Sequence, residues 1–243
     1  MIKTPQIFVI YEPGMYGTFL CNLFVDHPLY NDKLVSKQVE TTEGAITAHR
    51  FGYVDIIKDF HNQEDIINLL KKKPIDLYTF FQPLDNCGLG VSRLASYYAV
   101  RIDFQKHFDK FVRIIVKPKK NHISVYAKRM SVTSRPDPAG QYWARAFSKK
   151  NWADIPNWFI DGMILKECEK YLWAHTEFLD STYTLDPKRD IVFNPNDISN
   201  KKALEQMIGM ACDLLEIEHS HPDFERLKPL MEKNKKHYRN KRK

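Results

Sequence analysis

Gln6-Ile7-Phe8-Val9-Ile10-Tyr11 is a short run of β-branched and aromatic residues, and it reads as a buried strand. Beyond it, Phe19, Leu20, Leu23 and Phe24 fall on one face of a helix. Glu12-Pro13-Gly14-Met15-Tyr16-Gly17-Thr18 is all the chain between the two, so the connection must turn sharply. Gly14 and Gly17 permit a tight turn and a close approach of backbone to a ligand, and the turn aims the unpaired amides of the helix at whatever sits there. A turn of this kind is an anion site, most often for phosphate. The same strand, turn and helix also occur as a plain connection in α/β proteins with no ligand.

The next segments set the sheet type. Ala45 to Phe51 reads as a short strand, Glu64 to Lys73 as a helix stopped by Pro74, and Ile75 to Phe81 as a second good strand. Gln82 to Gly90 reads as a loop, Val91 to Lys110 as a long helix, and Phe111 to Val116 as an apolar strand. Strands alternating with helices argue for a parallel sheet with crossover helices. Toward the C-terminus, Pro156 opens a long helix through about Asp180, whose aromatic stripe is expected in the core. Asp190 to Ile198 is a late strand running into a turn. Ser199 or Asn200 then caps a helix with Leu204, Met207, Ile208, Ala211, Leu214 and Leu215 buried.

The formal net charge of +7 suggests nucleic acid until it is located. Lys233, Lys235, Lys236, Arg239, Lys241, Arg242 and Lys243 carry all of it, with no acid among them, so residues 1–232 sum to zero. The expected division is one α/β domain over 1–232 and a basic, flexible tail over 233–243. Nucleic acid is a disfavoured partner, because no basic and aromatic stripe in the body supports the tail. No apolar run approaches a membrane span, and Met1-Ile2-Lys3-Thr4-Pro5 carries no secretory signal pattern. Cys21, Cys87, Cys168 and Cys212 are scattered without a Cys-x-x-Cys pair, so neither a metal site nor disulfides are expected. A cytoplasmic location follows as the expectation; the oligomeric state does not follow from the sequence.

A second informative stretch follows the strand Phe111 to Val116. Lys117-Pro118 ends that strand, Asn121 can cap a helix, and basic residues gather where a parallel strand opens into a loop. Ligands of open α/β sheets bind at that edge. Together the two stretches resemble the P-loop sulfotransferases, in a divergent, carbohydrate-sulfotransferase-like form. Their 5′-phosphosulfate loop reads roughly Pro-Lys-x-Gly-Gly-Thr-Ser-Leu, and Pro13, Gly17, Thr18 and Leu20 fall on it. Gly14 stands where the family has its lysine. Their 3′-phosphate motif is a strand followed by Arg-x-Pro and a later serine, and Pro118, Ser124 and Tyr126 keep that register. Val116 occupies the arginine's place, and Lys117 comes one position late; a lysine can act there as a point charge without bidentate geometry.

The resemblance implies a single α/β domain of the P-loop nucleotide-binding type with a helical C-terminal part. It implies transfer of a sulfuryl group from 3′-phosphoadenosine 5′-phosphosulfate to a hydroxyl acceptor, a carbohydrate among the candidates, leaving adenosine 3′,5′-bisphosphate. Pro13, Gly14, Met15, Tyr16, Gly17, Thr18, Phe19, Lys117 and Ser124 are the implied nucleotide contacts. The reaction needs donors on the leaving phosphate and a base for the acceptor hydroxyl. Arg50, Arg93 or Lys117 could replace the missing lysine, and the residues do not choose among them. His49, ending a strand next to Arg50, is the candidate base, with Glu12, His27 and His122 behind it. Two other classes stay open. One is a kinase-like P-loop protein, which would lack its Walker A lysine; the other is a non-catalytic nucleotide or nucleic-acid binder, which Gly14 favours.

Overall fold

The computed structural model describes residues 3–11, 15–24, 26–30, 88–95, 103–133, 157–181 and 184–239. Its centre is a four-stranded, wholly parallel sheet in the order β2-β1-β3-β4. The strands are β1 (Gln6–Tyr11), β2 (Gly90–Ala95), β3 (Phe111–Val116) and β4 (Asp190–Phe193). Six described α-helices accompany them. They are α1 (Gly17–Asn22), α2 (Phe104–His107), α3 (Ile123–Thr133), α4 (Asn157–Ser181), α5 (Lys201–Leu215) and α6 (Phe224–Arg239). Short 3-10 turns at Lys120–His122 and Pro195–Ser199 follow β3 and β4. The α/β expectation of a parallel sheet with helices therefore holds.

A parallel sheet buries both faces, and its central strands read as apolar runs for that reason. All six residues of β1 are buried. Because successive side chains alternate, Ile7, Val9 and Tyr11 share a face with their register partners Val112 and Ile114. That face belongs to the main core, together with Phe19, Leu20, Leu23 and Phe24 around α1 and Leu204, Met207, Ile208, Ala211 and Leu215 of α5. The other face carries Phe8, whose ring meets Phe104 at 4.9 Å and Phe108 at 4.8 Å, both edge-on. Arg113, the register partner of Phe8, lies 5.4 Å from the Phe104 ring and binds Asp190 with two hydrogen bonds, 2.6 and 2.8 Å long.

Several helices end as their residues dictate. The Asn200 side chain accepts from the Ala203 amide and so caps α5, which closes on Glu216 in the left-handed conformation at φ 55°. Helix α6 is fastened to the start of the chain, where Asp26 accepts from Arg226 at 2.7 Å and from the Asp223 amide at 2.9 Å.

Four expectations need correction. Gly90–Ala95 is a strand, not loop and helix, and the only regular helix described within 91–110 is the single turn Phe104–His107. Parallel pairing with β1, from Gln6↔Gly90 to Tyr11↔Ala95, overrides the local spacing of Leu94, Ala95 and their neighbours. Gly90 fits because a Cβ there would lie 2.0 Å from the Gln6 side chain. Asn121 does not cap α3; it lies within the 3-10 turn Lys120–His122. Finally, residues 233–239 continue α6, so a helix crosses the boundary at 232 that charge alone suggests, and the basic end is not irregular up to Arg239. Leu214 is only partly buried and packs on the rim of the core. The expected elements at 45–51, 64–73, 75–81 and 141–150 lie outside the described residues.

Candidate functional site

In a parallel sheet all carboxyl ends point the same way. Tyr11 ends β1 beside Ala95 of β2, Ile10 pairs with Ile115 of β3, and Val116 pairs with Phe193 of β4. The segments after β1, β3 and β4 therefore leave one edge side by side. From β1 the chain goes to one side, to β2, and later to the other side, to β3 and then β4. The order of the described strands thus reverses between β1 and β3, the position at which ligands of open α/β sheets bind.

The first segment enters α1 through an unusual residue. Tyr16 precedes α1 with φ 64° and ψ 19°, a left-handed conformation that glycine was expected to supply. No side chain caps α1 there. Gly17 serves close packing, since a Cβ on it would fall 2.5 Å from the Tyr11 ring. Met15, Tyr16 and Phe19 are all buried. Thr18 lies in the first turn of α1; Pro13 and Gly14 lie outside the described residues, as do His49, Arg50 and Glu12.

The second segment starts at Lys117, whose amide donates to the Phe193 carbonyl at 2.9 Å and whose ammonium binds Asp180 near the end of α4. Lys120 approaches the same carboxylate at 3.7 Å. The hydrogen bond from Lys117, with the positive charge of both lysines, holds the Asp180 carboxyl below its ordinary value against the opposing cost of burial. Ser124 is exposed in the first turn of α3. Arg93 stands fourth in β2, in register with Val9.

A group that sequence spacing does not reveal lies on the same edge. The Tyr126 hydroxyl donates to Asn196 Oδ1 at 2.6 Å, and Asn196 Nδ2 lies 2.6 Å from His122 Nδ1. Tyr126 is fully buried, while Asn196 and His122 are partly exposed. The adjacency of β3 and β4 makes this contact, across 70 and 74 residues of chain. His27, by contrast, is only 2% exposed, and both its ring nitrogens are occupied. Its Nε2 bonds the Glu218 carbonyl at 2.9 Å and its Nδ1 accepts from the Leu29 amide at 3.1 Å, so it fastens the fold and leaves the candidate bases.

Among the described residues no cluster of His, Cys, Asp and Glu could hold a metal ion, and no helix is long and apolar enough to cross a membrane. Among the described residues Cys21, Cys168 and Cys212 are buried and form no disulfide. No family model matches the chain, and neither a curated protein nor a solved structure matches it.

Proposed function

We propose that the chain binds a phosphorylated nucleotide at the carboxyl edge of its sheet and transfers a sulfuryl group from 3′-phosphoadenosine 5′-phosphosulfate to a hydroxyl acceptor. One observation carries this reading: β1 and β3 are parallel neighbours at the reversal of strand order, so the segments that follow them leave the same edge of the sheet at adjacent positions. Each segment alone is an ordinary connection. Side by side, they suit the two ends of a nucleotide with two separated phosphates.

On this reading the amides at the start of α1 and the Thr18 hydroxyl meet the 5′-phosphosulfate, and Lys117 and Ser124 meet the 3′-phosphate. The bond from sulfur to the bridging phosphate oxygen breaks while a bond from sulfur to the acceptor oxygen forms. The acceptor's proton passes to a base, for which His49 is the proposed residue. Gly14, in place of the family's lysine, favours one rival in particular, a binder without turnover. The P-loop fold type and the assignment to the sulfotransferases belong to the same proposal.

Thermal unfolding with adenosine 3′,5′-bisphosphate, beside ATP with Mg²⁺, tests it. At a hundredfold excess over Kd the bisphosphate should stabilise the native state by about 2.7 kcal/mol. Stabilisation by ATP with Mg²⁺ alone would replace the reading with a kinase-like one. Stabilisation by the bisphosphate without sulfuryl transfer to a broad panel of sugar, phenol and peptide acceptors would leave the binder.

A further inference from the structure

We infer that His122 is a binding residue that presents a fixed N–H to an anionic oxygen of the ligand, with Tyr126 and Asn196 as its positioning residues. The inference rests on a phosphorylated ligand at the carboxyl edge, though not on sulfuryl transfer.

The argument starts at the buried end of the chain of bonds. A phenolic O–H is a good donor, and its oxygen is a poor acceptor because a lone pair is drawn into the ring. Tyr126 therefore donates, and the oxygen of the Asn196 amide is the atom that faces it at 2.6 Å. The NH₂ of the same amide is then the atom that faces His122 Nδ1 at 2.6 Å. A ring nitrogen that accepts a hydrogen bond carries no proton, and a neutral imidazole carries one, so the proton sits on Nε2. The other tautomer would set two N–H groups against each other at 2.6 Å.

The backbone that carries the Asn196 side chain is fixed as well. Asn194 caps the turn Pro195–Ser199 by accepting from the Asn196 amide N–H at 3.2 Å, and Pro195 and Ile198 in that turn are buried. Among the described residues Asn196 is the sole hydrogen-bond partner of the His122 ring, which leaves Nε2 for a ligand.

The chemistry of that ligand follows from the surroundings. His122 lies between Lys117 and Ser124, with Lys119 and Lys120 in the same connection. A neutral N–H donor among ammonium groups suits a phosphate oxygen, which accepts from both and is neutralised by the lysines. With Nδ1 engaged by Asn196, the nitrogen left for the ligand already carries a proton, so His122 supplies a donor there and does not take up the acceptor's proton.

The test uses the full ¹⁵N-labelled chain, with imidazole ¹H–¹⁵N correlations recorded well above the usual imidazole pKa of about 6.5. The His122 ring should show the Nε2–H pattern, and inorganic phosphate, adenosine 3′,5′-bisphosphate or ATP should shift its Nε2 signal. His122→Ala should weaken binding of the responding nucleotide about ten- to a hundredfold, the usual scale for a hydrogen bond to a charged group. His122→Gln, which keeps an N–H donor, should recover part of that loss. Asn196→Ala should mix the tautomers and weaken binding, and the double variant should be no worse than His122→Ala alone. If Asn196→Ala fails to fold, the wild-type tautomer and the His122→Ala and His122→Gln pair decide the matter. An Nδ1–H pattern, no response to any of the three probes, or unchanged affinity in His122→Ala would each overturn the inference. Bisphosphate binding indifferent to His122 would overturn it while sparing the proposed function; ATP binding that depends on His122, with no bisphosphate binding, would do the reverse.

Discussion

Strand β3 has a cation bound to a carboxylate at each end, and the two pairs are built for different purposes. Near the amino end, Arg113 grips Asp190 with two bonds, and the side chains are only 15% and 1% exposed. Asp190 also accepts from the Asp186 amide at 2.8 Å, and aromatic rings flank Arg113. Just past the carboxyl end, Lys117 meets Asp180 through one ammonium, with the side chains 24% and 39% exposed. Largely shielded from water and doubly bonded, the first pair ties β3 to β4. Open to water and singly bonded, the second can be exchanged for another anion. The two pairs thus serve β3 differently, one held within the strand and one open just past its carboxyl end.

The largest effect should come from Asp190→Ala. It leaves a mostly buried guanidinium without its carboxylate, and breaking such a pair costs about 3–5 kcal/mol. Denaturant titration of both proteins gives the difference. A loss below about 1 kcal/mol, the range of exposed pairs, would break the comparison at its sealed end.

Gly17→Ala probes whether the carboxyl edge is loose throughout or only at its charges. The added Cβ would meet the Tyr11 ring at 2.5 Å, and both neighbours are buried. Overpacking of this kind costs about 1–3 kcal/mol. The expected outcome is a lowered melting temperature together with weaker nucleotide binding, because α1 must move away from β1. Unchanged stability would mean that the turn yields easily, and its shape could then not be set for a ligand.

How much of this was readable beforehand depended on where each element's cause lies. β1, β3 and β4 and helices α4 and α5 follow from their own residues, since an apolar run or a helical period is local information. Gly90–Ala95 reads as loop and helix on its own, because it is extended on account of its partner β1, and pairing is not written in the segment itself. Within the candidate site, the glycines announced a turn, yet the left-handed residue is Tyr16 and Gly17 is there to clear a ring. The sequence offered His27 and His122 as equals. Only the fold separates them, through the two occupied nitrogens of one and the Asn196 amide beside the other. The likeness of the Lys117 to Tyr126 register to a phosphate motif was legible, but the carboxylate that Lys117 holds, 63 residues away, was not.

Lys117→Ala sharpens the open end. Replacing a partly exposed lysine whose carboxylate partner is open to water should change stability by less than about 1 kcal/mol. Nucleotide affinity should fall about tenfold, on the scale of a charge-assisted hydrogen bond, and the fall should shrink as salt rises. Isothermal titration at two ionic strengths reads both. A stability loss as large as that of Asp190→Ala would place Lys117 among the structural cations and remove it from the site.

The smallest effect, and the one that separates the two pairs most directly, belongs to Asp180→Asn. The Asp180 carboxylate sits near the carboxyl end of α4, where the helix dipole disfavours negative charge, and Lys117 and Lys120 compensate it. Its carboxyl is held low chiefly by the Lys117 hydrogen bond, so the folded state releases this proton more readily than the unfolded chain does. The stability that results is present above the ordinary carboxylate pKa of about 3.9 and is lost as pH falls through the lower folded value. Because 39% of the side chain is exposed, solvent screens the pair and the total is about 0–1 kcal/mol. Asp180→Asn should therefore barely change the melting temperature at neutral pH and should remove this small acid-side slope. Nucleotide binding should instead tighten a few-fold, since an arriving phosphate no longer has to displace a carboxylate from Lys117. Weaker binding in Asp180→Asn would mean that Asp180 aims Lys117 at the ligand, and the open pair would then be a fixed part of the site, as rigid in its role as Arg113 with Asp190.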